Sequence, residues 1–159
     1  MRIVIDNIVN NNERIGLLID RLLNETNKLQ SEHDIITIMY EPTKKVDKNR
    51  IDTISNTYEQ DLYLAIKLNY FRDLPLEHSA MYFSRSADDI SEKLIKSLNY
   101  NIPEQKHYNM INKYSKTMNV PLRKTILFMP GFENNQAYID KFENTNYLYR
   151  LAESIIGGF

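Results

Sequence analysis

The sequence contains no cysteine and no tryptophan, and only four glycines and five prolines in 159 residues. Without cysteine there is no disulfide, no thiolate nucleophile and no Cys-ligated zinc, and the chain fits a reducing compartment. Four glycines leave no room for a glycine-rich phosphate loop. The formal net charge is −1, from 20 basic and 21 acidic side chains. That balance excludes a generally polybasic nucleic-acid binder but allows a local basic patch. No stretch approaches the roughly 18 apolar residues of a membrane-spanning helix. The opening Met1–Arg14 is interrupted by Asp6 and Asn7, too early for a signal-peptide core. His33, His78 and His107 are far apart and form no His-x-x-x-His pair, so no metal and no cofactor is expected. There is no Gly-x-Ser-x-Gly elbow, Walker motif or dinucleotide fingerprint, and no enzyme is expected.

What is present is an ordinary folding composition, with 42% hydrophobic and 26% charged residues. Asn, Ile, Lys and Tyr are abundant, as in AT-rich coding sequences of low-GC bacteria and their phages. Residues 1–44 read as a β-α-β-like segment. Ile3, Val4 and Ile5 form a β-like run, and Asn10-Asn11-Asn12 marks a turn or cap. A helix is predicted from Glu13 to about Ser31, with Ile15, Leu18, Leu22 and Leu29 on one stripe. Its apolar surplus points either to a homodimer or to burial against its own sheet. A strand follows at Ile35–Tyr40, ended by Pro42.

Residues 45–100 read as a helix-turn-helix unit, a linker or helix entry up to 55 followed by three helices over 56–100. Thr57 and Gln60 are spaced as a capping box, and Leu62, Leu64, Ala65, Ile66 and Leu68 supply a buried face. Pro75 suits the first turn of a second helix carrying Leu76, Ala80 and Phe83 at i, i+4, i+7. After a tight Ser84-Arg85 turn, Ser86 caps a third helix with Ala87, Ile90, Leu94 and Leu98 inside. Residues 101–159 read as helical with one short strand: a helix through about Met118, a β-like run from Thr125 to Met129, and a last helix with Tyr138, Phe142, Tyr149, Leu151 and Ile155. The tail Gly157-Gly158-Phe159 is expected to fray. The predicted fold is therefore mainly α with two or three short strands, packed as one domain or two tightly apposed ones.

Within this trio, Asn56-Thr57-Tyr58-Glu59-Gln60-Asp61 and Ser84-Arg85-Ser86 with Ile90, Lys93 and Leu98 resemble the Myb/SANT-like helix-turn-helix family. Asn56 stands where that family has Trp. The resemblance implies a third helix lying in the DNA major groove. Arg85, Lys93 and Lys96 would then hold phosphates and Asp88, Ser91 and Glu92 would face the bases, with the cap residue Ser86 also in the DNA-binding surface. Two further basic clusters extend the expected DNA surface. One is the arm with Lys44 and Lys45; the other is the acid-free stretch from Gln105 to Phe132, with Lys113, Lys116, Arg123 and Lys124. The leading expectation is a non-enzymatic, cytoplasmic DNA-binding transcriptional regulator of the kind phages encode, with double-stranded DNA as partner. The alternative is an adaptor or inhibitor that binds a host protein, favoured by the acidic Asp88 and Glu92.

Overall fold

The computed structural model describes residues 1–43, 50–70, 78–111 and 124–159. Its elements are β1 (Arg2–Asn7), α1 (Glu13–Lys28), β2 (Asp34–Ile38), α2 (Arg50–Thr57), β3 (Leu62–Ile66) and β4 (His78–Phe83). A 3₁₀ turn (Arg85–Ala87) leads into α3 (Asp88–Asn101), β5 (Lys106–Ile111), β6 (Lys124–Met129), α4 (Gln136–Glu143) and α5 (Thr145–Gly157). The strands form a six-stranded sheet in the order β2-β1-β3-β6-β4-β5. β2, β1, β3 and β6 are mutually parallel. β4 runs antiparallel to β6, and β5 is parallel to β4. The fold is thus α/β, not mainly α with a central helix-turn-helix.

Each third of the chain supplies two strands to this sheet: β1 and β2, then β3 and β4, then β5 and β6. The predicted first helix of the trio is in fact β3. Every residue from Leu62 to Ile66 is buried, because β3 has neighbours on both edges and cover on both faces. Such a strand is a continuous apolar run, and its periodicity does not separate it from a buried helix. The capping-box residue Thr57 instead ends α2. The predicted second helix contains β4, whose Ala80 and Phe83 are both buried; Leu76 lies outside the described residues. Only the third helix survives, as α3, with Ile90, Leu94 and Leu98 inside as expected. The helix expected through about Met118 begins as strand β5.

Strand alternation sorts the core into two layers. Ile3, Ile5, Leu62, Leu64, Ile66, Ile126 and Phe128 face α1, α3 and α5 in one large cluster. Val4, Tyr63 and Ala65 face the other way, toward Ile54 and Tyr58 around α2. The chain end belongs to the larger layer. Gly158 is buried, and a Cβ there would sit 2.8 Å from Leu94 Cα. Only glycine permits that approach of the α5 end to α3. Phe159 packs against the same core, so the tail is docked rather than frayed.

Candidate functional site

In open α/β sheets, ligands bind beyond the carboxyl ends of the strands, where neighbouring strands send the chain in opposite directions. That condition is met between β1 and β3. The chain leaves β1 through α1 to β2 on one side, and leaves β3 toward β4, beyond β6, on the other. A cleft of about 510 Å³ opens there. Ile8, Val9 and Asn10 line it from the end of β1, Lys67, Leu68, Asn69 and Tyr70 from the end of β3, and Glu133 from beyond β6.

Backbone hydrogen bonds hold these segments together. Ile8 N–H donates to Ile66 O at 3.0 Å, and Lys67 N–H to Phe128 O at 3.2 Å. Asn69 N–H donates to Gly131 O and Glu133 N–H to Asn69 O, each at 2.8 Å. Asn69 also turns its own chain, its Oδ1 accepting from Tyr70 N–H at 2.8 Å. Behind the cleft, Asn7 is buried. Its Nδ2 donates to Gly16 O at 2.8 Å and to Asp20 Oδ1 at 2.7 Å, while its Oδ1 accepts from Val9 N–H at 3.2 Å. Asn11 takes a left-handed φ of 58°, a conformation asparagine tolerates, and Asn12 caps α1. The asparagine cluster read as a turn therefore sets the path from β1 into α1.

Just before Asn7 on β1, Asp6 centres a buried polar triad. Asp6 is fully buried and accepts from Arg50 Nε at 2.8 Å, Arg50 Nη2 at 2.6 Å and Tyr63 Oη at 2.6 Å. The hydrogen bond to Asp6 holds the Arg50 guanidinium above its ordinary pKa. Burial, reinforced by the Asp6 charge, pushes the Tyr63 phenol up. All three groups are mutually satisfied, so this triad is structural.

Lys67 and Glu133 differ from it. Burial raises the Glu133 carboxyl, with the Lys67 charge opposing. Yet neither side chain takes part in any ion pair among the described residues. A second concavity, of about 450 Å³, lies between α4, α5 and the start of β5. There Arg150 and Glu104 are already paired, Arg150 Nη2 reaching both Glu104 oxygens at 2.7 Å. At the start of β5, His107 Nε2 donates to Ile102 O at 3.0 Å, so Nδ1 accepts from Ser79 Oγ at 2.6 Å. Ser79 is buried and closed to a substrate.

With this geometry in view, the chain can be set beside solved structures. It covers 99% of itself and 94% of an N-acetylmuramoyl-L-alanine amidase from Clostridium difficile 630, at a TM-score of 0.74 and 17% identity. The fold is that of the N-acetylmuramoyl-L-alanine amidases. The amidase AmiC2 of Nostoc punctiforme matches at a TM-score of 0.75 and 13% identity, over 98% of this chain and 93% of that one. The catalytic domain of the CD27L endolysin targeting Clostridia difficile matches at 0.68 and 16%, over 99% and 96%. No family model and no curated protein matches the sequence. At these identities the likeness is one of fold.

The amidase fold overturns the Myb/SANT-like resemblance and, with it, the DNA-binding regulator and its protein-adaptor alternative. It also corrects the expectation of a non-enzyme, since this is a fold of hydrolases. The expectation of double-stranded DNA or a host protein as partner falls with it.

The residues expected to grip DNA sit elsewhere. Arg85 and Ser86 lie in the 3₁₀ turn after β4, and Asp88, Glu92, Lys93 and Lys96 are exposed on α3. Ser91 is buried, its Oγ donating to Asp88 O at 2.8 Å. Lys124 pairs with Asp89 at 3.1 Å. The 3₁₀ turn and the start of α3 follow the carboxyl end of β4; because β4 is antiparallel to β6, they stand at the end of the sheet away from the cleft. Lys44, Lys45, Lys113, Lys116 and Arg123 lie outside the described residues. Lys67 and Asn69 were missed because 62–68 was read as helix, and Glu133, past the correctly read run Thr125–Met129, was missed because nothing in the sequence sets that strand beside β3. Their signal was an apolar run closed by polar residues, which marks the carboxyl end of a buried strand.

Cleaving an amide calls for an activated water, and a bound metal ion is one general way to supply it. Among the described residues, no three His, Cys, Asp or Glu side chains are grouped to hold a metal. The cleft lining offers one carboxylate, Glu133, and places the Lys67 cation beside it. That donor set does not fit a divalent metal, which needs several anionic or imidazole ligands.

Proposed function

We propose that this chain recognises bacterial cell-wall peptidoglycan, seating a muramoyl-peptide in the cleft between the ends of β1 and β3. The carrying observation is the full-length likeness to amidase catalytic domains combined with a cleft at the switch point of the sheet. The lining suits such a ligand. Asn10 and Asn69 are amide side chains able to bond sugar hydroxyls and peptide groups, Tyr70 is exposed, and Lys67 and Glu133 bring opposite charges.

The test is co-sedimentation of the purified chain with insoluble peptidoglycan. The chain is expected to pellet with it and to be released by soluble muramoyl-peptide. A chain that stays in the supernatant at every peptidoglycan concentration overturns the reading.

A further inference from the structure

We infer that Lys67 anchors a carboxylate of the ligand, so that this cleft holds its ligand through a fixed protein cation and not through a bound metal ion. The inference rests on the peptidoglycan reading and deepens it.

Lys67 is the first residue past β3, and its backbone is fixed by the bond to Phe128 O at 3.2 Å. Its ammonium therefore starts from a rigid strand end. Glu133 is held on the facing segment through its own backbone bond to Asn69 O at 2.8 Å. The two charges share one cleft of about 510 Å³ and feel each other, yet they do not close into an ion pair. Contrast Arg150 and Glu104, which meet at 2.7 Å beside the other concavity.

Two opposite charges held apart suit a ligand that presents an anion to one and an N–H donor to the other. An N-acylated amino acid has both groups: a carboxylate for Lys67 and an amide N–H for Glu133. The terminal alanine of N-acetylmuramoyl-L-alanine is such a group. A free divalent cation would instead find one carboxylate and an opposing ammonium.

The probes are N-acetylmuramoyl-L-alanine and its C-terminal carboxamide, which keeps the shape and removes the charge. Affinities are measured by calorimetry on the intact chain, with and without excess EDTA. The acid is expected to bind about tenfold more tightly than the amide, as a charge-assisted hydrogen bond predicts. EDTA is expected to change neither value. Lys67→Gln should abolish the preference and Lys67→Arg should restore most of it, with thermal melts confirming that both variants fold. Equal binding of acid and amide, a preference that survives Lys67→Gln, or loss of binding in EDTA would each overturn the inference. If the chain pellets with peptidoglycan but binds neither probe, the inference falls and the peptidoglycan reading stands. If it does neither, the reading itself has failed.

Discussion

The two ends of the parallel strands handle charge in opposite ways. At the amino ends, Arg2 meets Asp34 at 2.8 Å, the Arg2 backbone N–H reaches Asp61 at 2.8 Å, and Lys124 meets Asp89 at 3.1 Å. Each of these charges has a partner in the protein. At the carboxyl ends, Lys67 and Glu133 share a cleft without pairing, while Asp6, near the end of β1, is buried and triply bonded. The contrast separates structural charges from charges kept open for a ligand. A paired surface ion contributes little and leaves nothing to offer, whereas an open charge in a cleft is available to a ligand.

The largest test of that contrast is Asp6→Ala. It leaves the Arg50 guanidinium, only 14% exposed, without its carboxylate. The expected loss is about 3–5 kcal/mol of unfolding free energy, read from urea denaturation. A loss below about 1 kcal/mol would mean that the triad is not structural.

Next comes the cleft itself. Glu133→Gln removes the anionic acceptor for the ligand's amide N–H, so the affinity for N-acetylmuramoyl-L-alanine should fall about three- to tenfold. Calorimetry at neutral pH decides it, and unchanged or tighter binding would mean that Glu133 does not take the ligand's N–H.

A third test uses the histidines that begin β4 and β5. Burial lowers the pKa of both His78 and His107 below the ordinary imidazole value. The unfolded chain then binds protons first as pH falls. The stability these residues contribute is complete above about pH 6.5 and is lost as pH drops through their folded values. The urea midpoint should therefore fall below about pH 6.5, and His107→Gln should flatten that fall. His107 keeps some contact with water, so the effect should stay under about 1 kcal/mol.

The smallest effect is expected at the other end of the sheet. Asp89 is 61% exposed. Asp89→Ala should cost no more than about 1 kcal/mol and should leave ligand binding unchanged. A binding defect there would erase the distinction between the two ends.

Much of the local structure was legible in the residues. The Ile3–Ile5 run, the stripe from Ile15 to Leu22 and the β-branched 35–38 segment gave β1, α1 and β2 nearly in place. Ile90, Leu94 and Leu98 gave α3, and Thr125–Met129 gave β6. The last helix was anticipated as one element, but Asn144 divides it, its side chain accepting from Tyr147 N–H and capping α5. The errors gathered at β3, β4 and β5. Two of these are internal strands of the sheet, and β3 is buried on both faces, which removes the alternation that identifies a strand.

The sequence by itself determined that this chain folds around a substantial apolar core, has no cysteine chemistry, and carries its helices at the amphipathic stretches. It held the cleft residues in plain view, but 66 positions separate Lys67 from Met1 and another 66 separate it from Glu133. Only the parallel pairing of β1, β3 and β6 brings Val9, Lys67 and Glu133 to one edge. That pairing is a long-range choice. A fully buried strand is fixed by its neighbours rather than by any local period, so what the strand ends hold became visible only once the sheet was assembled.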